Sequence, residues 1–331
     1  MTNKTTTLNN DILRQIREFL VSESGEILVI SHFYPDGDAI GSLIAFGEML
    51  AQIGTTYTLA IDDNCAEKYQ FMQGFERIRN LKLQPLQRIY NRIAALDVGS
   101  LPRMGAAQEC IGPATKILNI DHHWTGSHFA HINLIDVYSS ATSEILYDLC
   151  NALKLEITPM MAEALFVGIL TDTGRFRFAN TTARAMQICA DLAARGVDAA
   201  RLTERIYFDH PFETMRALTK ALASLELYSD GQVSLMSLDM KDLVDDTEGF
   251  VEYGVAIKGV KLAAFLCEIG PDLWKVSLRS RCEIDVSVIA INFGGGGHLK
   301  AAGFRRRSKK DTLKTALLKA FEASLNSRLA S

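Results

Sequence analysis

The sequence ISHFYPDGDAIGS, residues 30–42, concentrates charge in a short turn between a predicted strand and a predicted helix. The apolar run 27–30 before the turn is typical of a buried strand, and the pattern over 43–50 predicts the helix. The turn contains one imidazole and two carboxylates, from His32, Asp36 and Asp38. Because neighbouring carboxylates repel each other, this turn predicts a bound cation.

Two further predicted strands end in the same residue types. The strand 89–96 is followed by Asp97, and the strand 116–120 is followed by Asp121, His122 and His123. A predicted helix that Pro159 opens ends at Asp172. Strands that alternate with helices predict a parallel sheet, and ligands of such sheets bind at the carboxyl ends of the strands. We therefore expect these polar side chains to converge.

A chain of 331 residues is long enough to form two domains. We predict an α/β fold with a mainly parallel sheet and flanking helices over 1–210, a smaller α/β domain over 211–331, and an active-site cleft between them. The residues 64–79 are predicted to be helical, and Ser139–Glu144 to supply the N-cap of the next helix. The strand 89–96, which contains a polar Asn-Arg pair, is expected nearer a sheet edge.

Composition narrows the class of protein. The hydrophobic content of 48% suits a globular chain with a sizeable core, and the net charge of -4 does not favour binding of long duplex nucleic acid. No apolar run approaches the roughly 20 residues of a membrane span, and residues 1–7 lack the apolar core of a signal peptide. These features predict a cytoplasmic protein without a membrane partner. The six cysteines form no CxxC pair, which gives a zinc finger little support.

The converging residues form a donor set for divalent metal ions. The candidate ligands are His32, Asp36, Asp38, Asp97, His122 and Asp172. Oxygen and nitrogen donors without thiolate favour Mn²⁺ or Mg²⁺, and the imidazoles favour Mn²⁺. The carboxylates suffice for two ions, which can share a ligand and activate a hydroxide for attack on a phosphate ester. Taken alone, the Asp-Gly-Asp motif would be a turn and the His-His pair a polar loop; their convergence favours the metal site.

These motifs carry a family resemblance. The Asp-His-His motif at 121–123, preceded by the turn at 32–38 and by Asp97 and followed by the Thr-Asp-Thr-Gly motif at 171–174, resembles the DHH phosphoesterase superfamily. The glycine-rich motif at 293–298 with Ala-Ala-Gly after it is similar to the DHH-associated C-terminal domain. Size and domain plan are most similar to the branch of bacterial oligoribonucleases and 3'-phosphoadenosine 5'-phosphate phosphatases.

The resemblance implies a role for each matching residue. It implies two metal sites that Asp97 bridges. The ligands of one are His32 and Asp36, and those of the other are Asp38, His122 and Asp172. It further implies that His123 faces the scissile phosphate and that Asp121 orients the histidines.

A second cluster near the C-terminal end predicts substrate binding. It consists of Gly294, Gly295, Gly296, Gly297 and His298. Successive glycines can expose backbone N–H groups that wrap a phosphate, although a merely flexible loop is the alternative. Apolar runs on both sides favour a rigidly mounted loop. The resemblance implies that Arg279 pairs with a terminal phosphate, for which a planar guanidinium is suited.

Together these features predict a hydrolase of phosphodiester and phosphomonoester bonds. The expected reaction is hydrolysis of very short oligonucleotides to mononucleotides by a two-metal-activated hydroxide, with 3'-phosphoadenosine 5'-phosphate as a further substrate. A hydrolase of linear dinucleotides, of polyphosphate or of pyrophosphate is the alternative enzyme, and a non-catalytic nucleotide sensor is the alternative class. The expected partner is a short oligonucleotide or nucleotide, and the sequence leaves a monomer and a homodimer open.

Overall fold

The computed structural model describes residues 8–21, 25–63, 67–123, 128–297 and 299–326. The chain divides into two compact units, residues 1–209 and residues 210–331. Each unit contains a six-stranded sheet. Among the described residues, no helix combines the length and the apolar character that a membrane crossing requires.

The first unit is built on a sheet in which every neighbouring pair of strands is parallel. Its strands are β1 (Ile27–Ile30), β2 (Tyr57–Ile61), β3 (Ile78–Asn80), β4 (Tyr90–Leu96), β5 (Ile111–Asp121) and β6 (Ile132–Ile135), in the spatial order β3-β2-β1-β4-β5-β6. Its helices are α1 (Asn10–Val21), α2 (Gly37–Ile53), α3 (Thr142–Leu153), α4 (Pro159–Asp172), α5 (Ala183–Ala194) and α6 (Ala199–Tyr207). The predicted parallel sheet with flanking helices is confirmed.

Both faces of this sheet are buried. Ile27 and Val29 of β1 belong to one apolar cluster, whereas Leu28 and Ile30 belong to another. Because successive side chains of a strand point to opposite faces, the two clusters cover opposite sides of the sheet. The carboxyl ends of the strands are therefore the edge at which polar side chains can gather.

The second unit is a mostly antiparallel sheet with helices. Its strands are β7 (Glu226–Tyr228), β8 (Val233–Leu238), β9 (Leu262–Gly270), β10 (Leu273–Ser280), β11 (Gly296–Gly297) and β12 (Ala301–Arg307), in the order β11-β12-β10-β9-β8-β7. Its helices are α7 (Phe212–Ala223), α8 (Phe250–Val255), α9 (Val286–Asn292) and α10 (Lys310–Asn326). Among the described strands of this unit, only the pair β8 and β9 is parallel. The predicted smaller α/β unit is confirmed.

The expectation that β4 lies near a sheet edge is wrong. β4 lies inside the sheet between β1 and β5. Arg92 is only 2% exposed because its guanidinium donates to the carbonyl oxygens of Phe19 and Leu20 in the last turn of α1. A buried arginine is stable in this position because it satisfies carbonyl groups at a helix C-terminus. These two partners lie more than 70 residues away in the sequence, so the strand by itself gave no indication of them.

The prediction of a helix over 64–79 is also wrong. Its first three residues lie outside the described ranges, and the rest form short 3-10 helices at Glu67–Tyr69 and Phe75–Arg77 before β3. Gly74 has a φ of 92°, a left-handed conformation that interrupts a right-handed helix. The chain then leaves the turn as a strand that pairs with β2.

Candidate metal centre

Predicted site residues from separate elements come together at the carboxyl ends of β1, β4 and β5, where α2 begins and α4 ends. Ligand atoms form three groups, and within each group they lie within 4.8 Å of one another. The groups are His32, Asp36 and Asp97; Asp97, His122 and His123; and Asp38, His122 and Asp172. Asp97 and His122 each belong to two groups, so the groups form one continuous cluster. All six predicted metal ligands and His123 are in it.

The Asp38 carboxylate is completely buried against the start of α3. Its Oδ2 accepts the backbone N–H of Thr142 at 2.6 Å, and its Oδ1 accepts the N–H of Ser143 at 3.0 Å and the Ser143 hydroxyl at 2.6 Å. The expected side-chain N-cap within Ser139–Glu144 is therefore wrong, because Ala141 is the N-cap residue and a distant carboxylate takes the place of a cap. The positive end of a helix stabilises such a carboxylate.

Close contact between α2 and α4 brings their carboxylates together. A Cβ on Gly37 would lie 2.4 Å from Thr171, and a Cβ on Gly41 would lie 2.3 Å from the carbonyl oxygen of Ala164. A Cβ on Gly168 would lie 2.5 Å from Asp38 Oδ1. Glycine at these positions lets two helix backbones approach closely. Gly37 is thus needed for the packing of the two helices.

Hydrogen bonds orient two of the histidines. Nδ1 of His32 lies 2.9 Å from the Phe33 carbonyl oxygen, and Nδ1 of His122 lies 3.2 Å from the Ser139 carbonyl oxygen. Because a carbonyl oxygen can only accept, Nδ1 donates in both rings and Nε2 is left as the ligand atom. His32 Nε2 lies 3.3 Å from Asp97 Oδ2. A bond from the second ring nitrogen to a carbonyl is a recurrent feature of histidines that bind metals.

Asp121 orients the third histidine. Its Oδ1 accepts the backbone N–H groups of His122 at 2.9 Å and His123 at 3.2 Å, and lies 2.6 Å from His123 Nδ1. Asp121 is 0% exposed, so these bonds are not weakened by competition with water. The orienting contact that the resemblance implied for Asp121 is present in the structure for His123.

Asp97 has an unusual backbone conformation. Its φ of 60° lies in the left-handed region, where aspartate is several-fold more common than most residues. Its Oδ1 accepts the Thr142 hydroxyl at 3.1 Å, and that residue also supplies an N–H to Asp38. Strained backbone of this kind clusters at functional sites. The contacts of Thr142 and Ser143 with these carboxylates were not predicted, although the Ser/Thr-rich segment was a signal for them.

Hydrogen bonds from one side chain link the C-terminal end of α4 to the loop before α3. Asn180 Nδ2 donates to the carbonyl oxygens of Ser140 at 2.9 Å and Asp172 at 3.0 Å. Asp172 Oδ2 is buried and accepts no hydrogen bond from a described residue, although His122 Nε2 lies 3.2 Å from it. A buried carboxylate oxygen of this kind is costly unless a cation compensates it. The bridging hydrogen bonds of Asn180 were not predicted from the sequence.

Charge in the cluster is unbalanced. Burial raises the pKa of Asp38 to about 7, and burial with the nearby Asp38 carboxylate raises the pKa of Asp172 well above its usual value. Burial would also raise the pKa of Asp97, but the hydrogen bond from His32 and the surrounding imidazoles outweigh it and lower that pKa. Repulsion between buried carboxylates is relieved by a divalent cation. The oxygen and nitrogen donors therefore fit a divalent metal.

Addition of Mn²⁺ to metal-free protein is expected to raise its Tm by about 5–10 °C at saturating concentration, because the ion binds only the folded cluster. Differential scanning fluorimetry measures this shift. Asp172→Asn, which removes a buried charge from the cluster, should reduce the shift. Asp191→Asn on α5, where the carboxylate pairs with Arg195, is the matched control and should keep it. Equal shifts in the two variants would argue against Asp172 as a ligand.

Arg279 lies in β10 of the second unit, where it forms an ion pair. Its Nε donates to Glu252 Oε1 at 2.5 Å, and its Nη1 donates to the Leu278 carbonyl oxygen at 3.0 Å. Glu252 belongs to α8, a short helix that was not predicted from the sequence. The phosphate-binding role of Arg279 stays a prediction.

The glycine-rich segment differs in part from the expectation. The N–H of Gly294 donates to the Ile291 carbonyl oxygen at 2.9 Å, and the N–H of Gly295 donates to the Ala290 carbonyl oxygen at 2.8 Å. These two N–H groups bind carbonyl oxygens at the C-terminal end of α9 and are therefore not available to a ligand. The expectation that all four glycines expose their N–H groups is wrong. Helix carbonyl groups near a C-terminus need such donors.

Glycine in this segment is also required by a neighbouring strand. A Cβ on Gly295 would lie 2.1 Å from the Gly303 carbonyl oxygen, and one on Gly297 would lie 2.6 Å from the Ala301 carbonyl oxygen. A Cβ on Gly294 or on Gly296 would have no atom of the described residues within 4 Å, but Gly294 has a φ of 85° whereas Gly296 has no positive φ, so Gly296 is the least constrained of the four. His298 lies outside the described residues. Substrate binding by this segment therefore stays a prediction.

The chain is similar to a known protein family and to several known proteins. The sequence profile described as the DHH family, N-terminal domain, matches residues 26–169, which include five of the six predicted metal ligands. The chain is 31% identical to the bifunctional oligoribonuclease and PAP phosphatase NrnA of Thermus thermophilus, over 88% of this chain and 87% of that protein. It is 24% identical to the probable bifunctional oligoribonuclease and PAP phosphatase NrnA of Streptococcus mutans, over 84% and 88%.

A solved structure shares the fold. An exopolyphosphatase-related protein from Bacteroides fragilis superposes with a TM-score of 0.86 at 24% identity, and the match covers 98% of both chains. The profile matches the segment that carries the strand-end ligands, and the Thermus relative matches nearly the whole length. From the metal cluster and these matches, we conclude that the chain belongs to the DHH family.

Proposed function

We propose that this chain is a metal-dependent phosphoesterase that hydrolyses very short oligonucleotides to mononucleotides and removes the 3'-phosphate from 3'-phosphoadenosine 5'-phosphate. The observation that carries the proposal is the continuous cluster of histidine and carboxylate ligands, in a chain whose Thermus relative bears both activities in its name. We assign residues 1–210 as the catalytic domain and residues 211–331 as the substrate-binding domain.

Two divalent cations are the proposed cofactors, with Mn²⁺ preferred over Mg²⁺ because two imidazoles, those of His32 and His122, join the carboxylates. The donors would be His32 and Asp36 for one ion and Asp38, His122 and Asp172 for the other, with Asp97 shared. When bound, the ions would lower the pKa of a water and stabilise negative charge on the phosphoryl group.

The remaining chemistry is assigned to the chain itself. Asp121 holds the His123 ring through Nδ1, so in the imidazolium form of the ring Nε2 can donate a hydrogen bond to an oxygen of the scissile phosphate. The Thr142 and Ser143 amides hold Asp38 in place, so the carboxylate does not need to reorganise when a cation binds. Such preorganised groups stabilise a transition state more than mobile ones do.

The proposal is tested by turnover of several phosphoesters side by side with Mn²⁺. The substrates are 5'-phosphorylated oligonucleotides of two to five residues, 3'-phosphoadenosine 5'-phosphate, inorganic polyphosphate and pyrophosphate. We expect hydrolysis of the short oligonucleotides and of the bisphosphate. Cleavage of polyphosphate or pyrophosphate alone would contradict the substrate assignment.

The same panel separates the remaining alternatives. Hydrolysis restricted to dinucleotides would favour an enzyme of linear dinucleotide turnover. Nucleotide binding without hydrolysis of any substrate would favour a sensor, which the complete ligand set argues against.

Arg279→Ala is expected to raise KM several-fold with little change in kcat, because a remote phosphate contact contributes mainly to binding. Steady-state kinetics on a 5'-phosphorylated dinucleotide measures both constants. Glu252→Gln removes the charge of the ion-pair partner and keeps Arg279, so it tests whether the ion pair alone matters. An equal rise of KM in both variants, or an unchanged KM in Arg279→Ala, would contradict the phosphate role.

A further inference from the structure

Two aromatic side chains occupy the positions between the proposed ligands His32 and Asp36. The rings of Phe33 and Tyr34 pack edge to face, with centroids 5.2 Å apart and an interplanar angle of 86°. Tyr34 is 38% exposed, so part of its ring is accessible beside the metal cluster. Its φ of 59° places a bulky residue in the left-handed region, a strained conformation that clusters at functional sites.

Two cationic side chains flank this aromatic pair. The Arg103 guanidinium lies 5.8 Å from the Phe33 ring centroid, and Lys82 Nζ lies 5.9 Å from the Tyr34 ring centroid. The Phe33 N–H donates to the Arg103 carbonyl oxygen at 3.0 Å, so the segment after β4 is fixed to the turn. Lys82 already forms an ion pair, because its Nζ lies 2.5 Å from Asp63 Oδ1.

Arg103 differs from Lys82 in its surroundings. It forms no ion pair with any residue in the described part of the chain, and its Nε is buried without a hydrogen-bond partner there. Its positive charge is therefore not paired with a carboxylate of the described residues, although it lies next to the turn that carries two proposed metal ligands. A guanidinium with free donors is well suited to a phosphate oxygen.

Aromatic rings next to a cation form a common platform for single-stranded nucleic acid. A base stacks on the ring whatever its identity, and the cation binds the backbone. A pair of rings within one short turn can hold one base, which matches a substrate of a few nucleotides.

We propose that Phe33, Tyr34 and Arg103 form a nucleotide subsite beside the metal cluster. In this subsite the Tyr34 ring stacks on a nucleobase, and the Arg103 guanidinium binds a phosphate oxygen of the same nucleotide. Phe33 supports the Tyr34 ring. The inference deepens the proposed function and rests on it, since it assigns the residues that hold one nucleotide of a short oligonucleotide.

Tyr34→Asn tests the stacking, because asparagine removes the ring and tolerates the left-handed backbone. Kinetics compare an intact 5'-phosphorylated dinucleotide with two analogues that each lack one base. We expect Tyr34→Asn to raise KM about tenfold on the intact dinucleotide and to match wild type on one of the analogues. Tyr34→Phe, which keeps the ring, should restore the low KM.

Arg103→Gln tests the phosphate contact. It is expected to raise KM on the intact dinucleotide and on both analogues, because all three keep the phosphate. Metal content of each variant, measured by mass spectrometry, should equal that of wild type. An unchanged KM in Tyr34→Asn, or an equal rise on all three substrates, would overturn the stacking role.

Calorimetric binding of AMP with Mn²⁺ separates a failure of this subsite from a failure of the proposed function. If wild type cleaves no oligonucleotide, the proposed function fails, but about tenfold weaker AMP binding by Tyr34→Asn would still support the subsite. If wild type cleaves oligonucleotides and all variants bind AMP equally, the proposed function stands and the subsite is wrong.

Discussion

Asp97→Asn is expected to lower kcat by about 10³-fold or more while the protein stays folded. The change removes a negative charge that two of the three ligand groups share. Asparagine tolerates the left-handed backbone of this position, and its amide oxygen can still accept the Thr142 hydroxyl that Asp97 Oδ1 accepts at 3.1 Å. The lower kcat should therefore result from weaker metal binding and a slower chemical step, because the fold is kept. Turnover of a 5'-phosphorylated dinucleotide with Mn²⁺ measures it, with circular dichroism as the test of folding.

The matched control for this variant is Asp191→Asn, which makes the same chemical change on the α5 surface. It should keep wild-type kcat. Wild-type-like turnover by Asp97→Asn would contradict a mechanism in which the two metals share this carboxylate.

Gly168→Ala is expected to destabilise the protein by about 1–3 kcal/mol and to abolish the rise of Tm with Mn²⁺. The added methyl group would lie 2.0 Å from the Ser143 hydroxyl and 2.5 Å from Asp38 Oδ1. Either the start of α3 or the Asp38 carboxylate must move, and the two are joined by hydrogen bonds. Urea unfolding measures the free energy, and fluorimetry with and without Mn²⁺ measures the metal response.

Gly270→Ala is the control for this second change. Its added methyl group would lie 3.7 Å from Leu273, an ordinary contact, and its backbone does not have a positive φ. Its Tm should still rise with Mn²⁺. A normal metal response in Gly168→Ala would show that close contact of α4 with Asp38 is not needed for the cluster.

Most of the first unit follows from local sequence pattern. Alternation of apolar strands with amphipathic helices predicts the parallel sheet, because each strand must be covered on both faces. The errors lie where a distant partner outweighs local preference. Arg92 makes β4 look like an edge strand, but carbonyl groups of α1 satisfy its guanidinium. Residues 64–79 look helical, but a left-handed glycine and pairing with β2 give short turns and a strand.

The metal ligands were predictable for a related reason. Parallel strands end at one edge of the sheet, so Asp97 and the residues 121–123 must lie near the turn at 32–38. The residues that position these ligands were not predictable. Thr142, Ser143 and Asn180 act through backbone groups or bridge segments far apart in the sequence.

The sequence by itself determined the donor types, their order along the chain and the strand ends that carry them. These properties depend on residue identity and on periodicity, which are local. The tertiary structure alone showed that Asp38 takes the place of a cap on α3, that three glycines let α2 and α4 meet, and that Arg103 lies beside Phe33. Each of these depends on side chains from separate elements meeting in space, which only the packed chain defines.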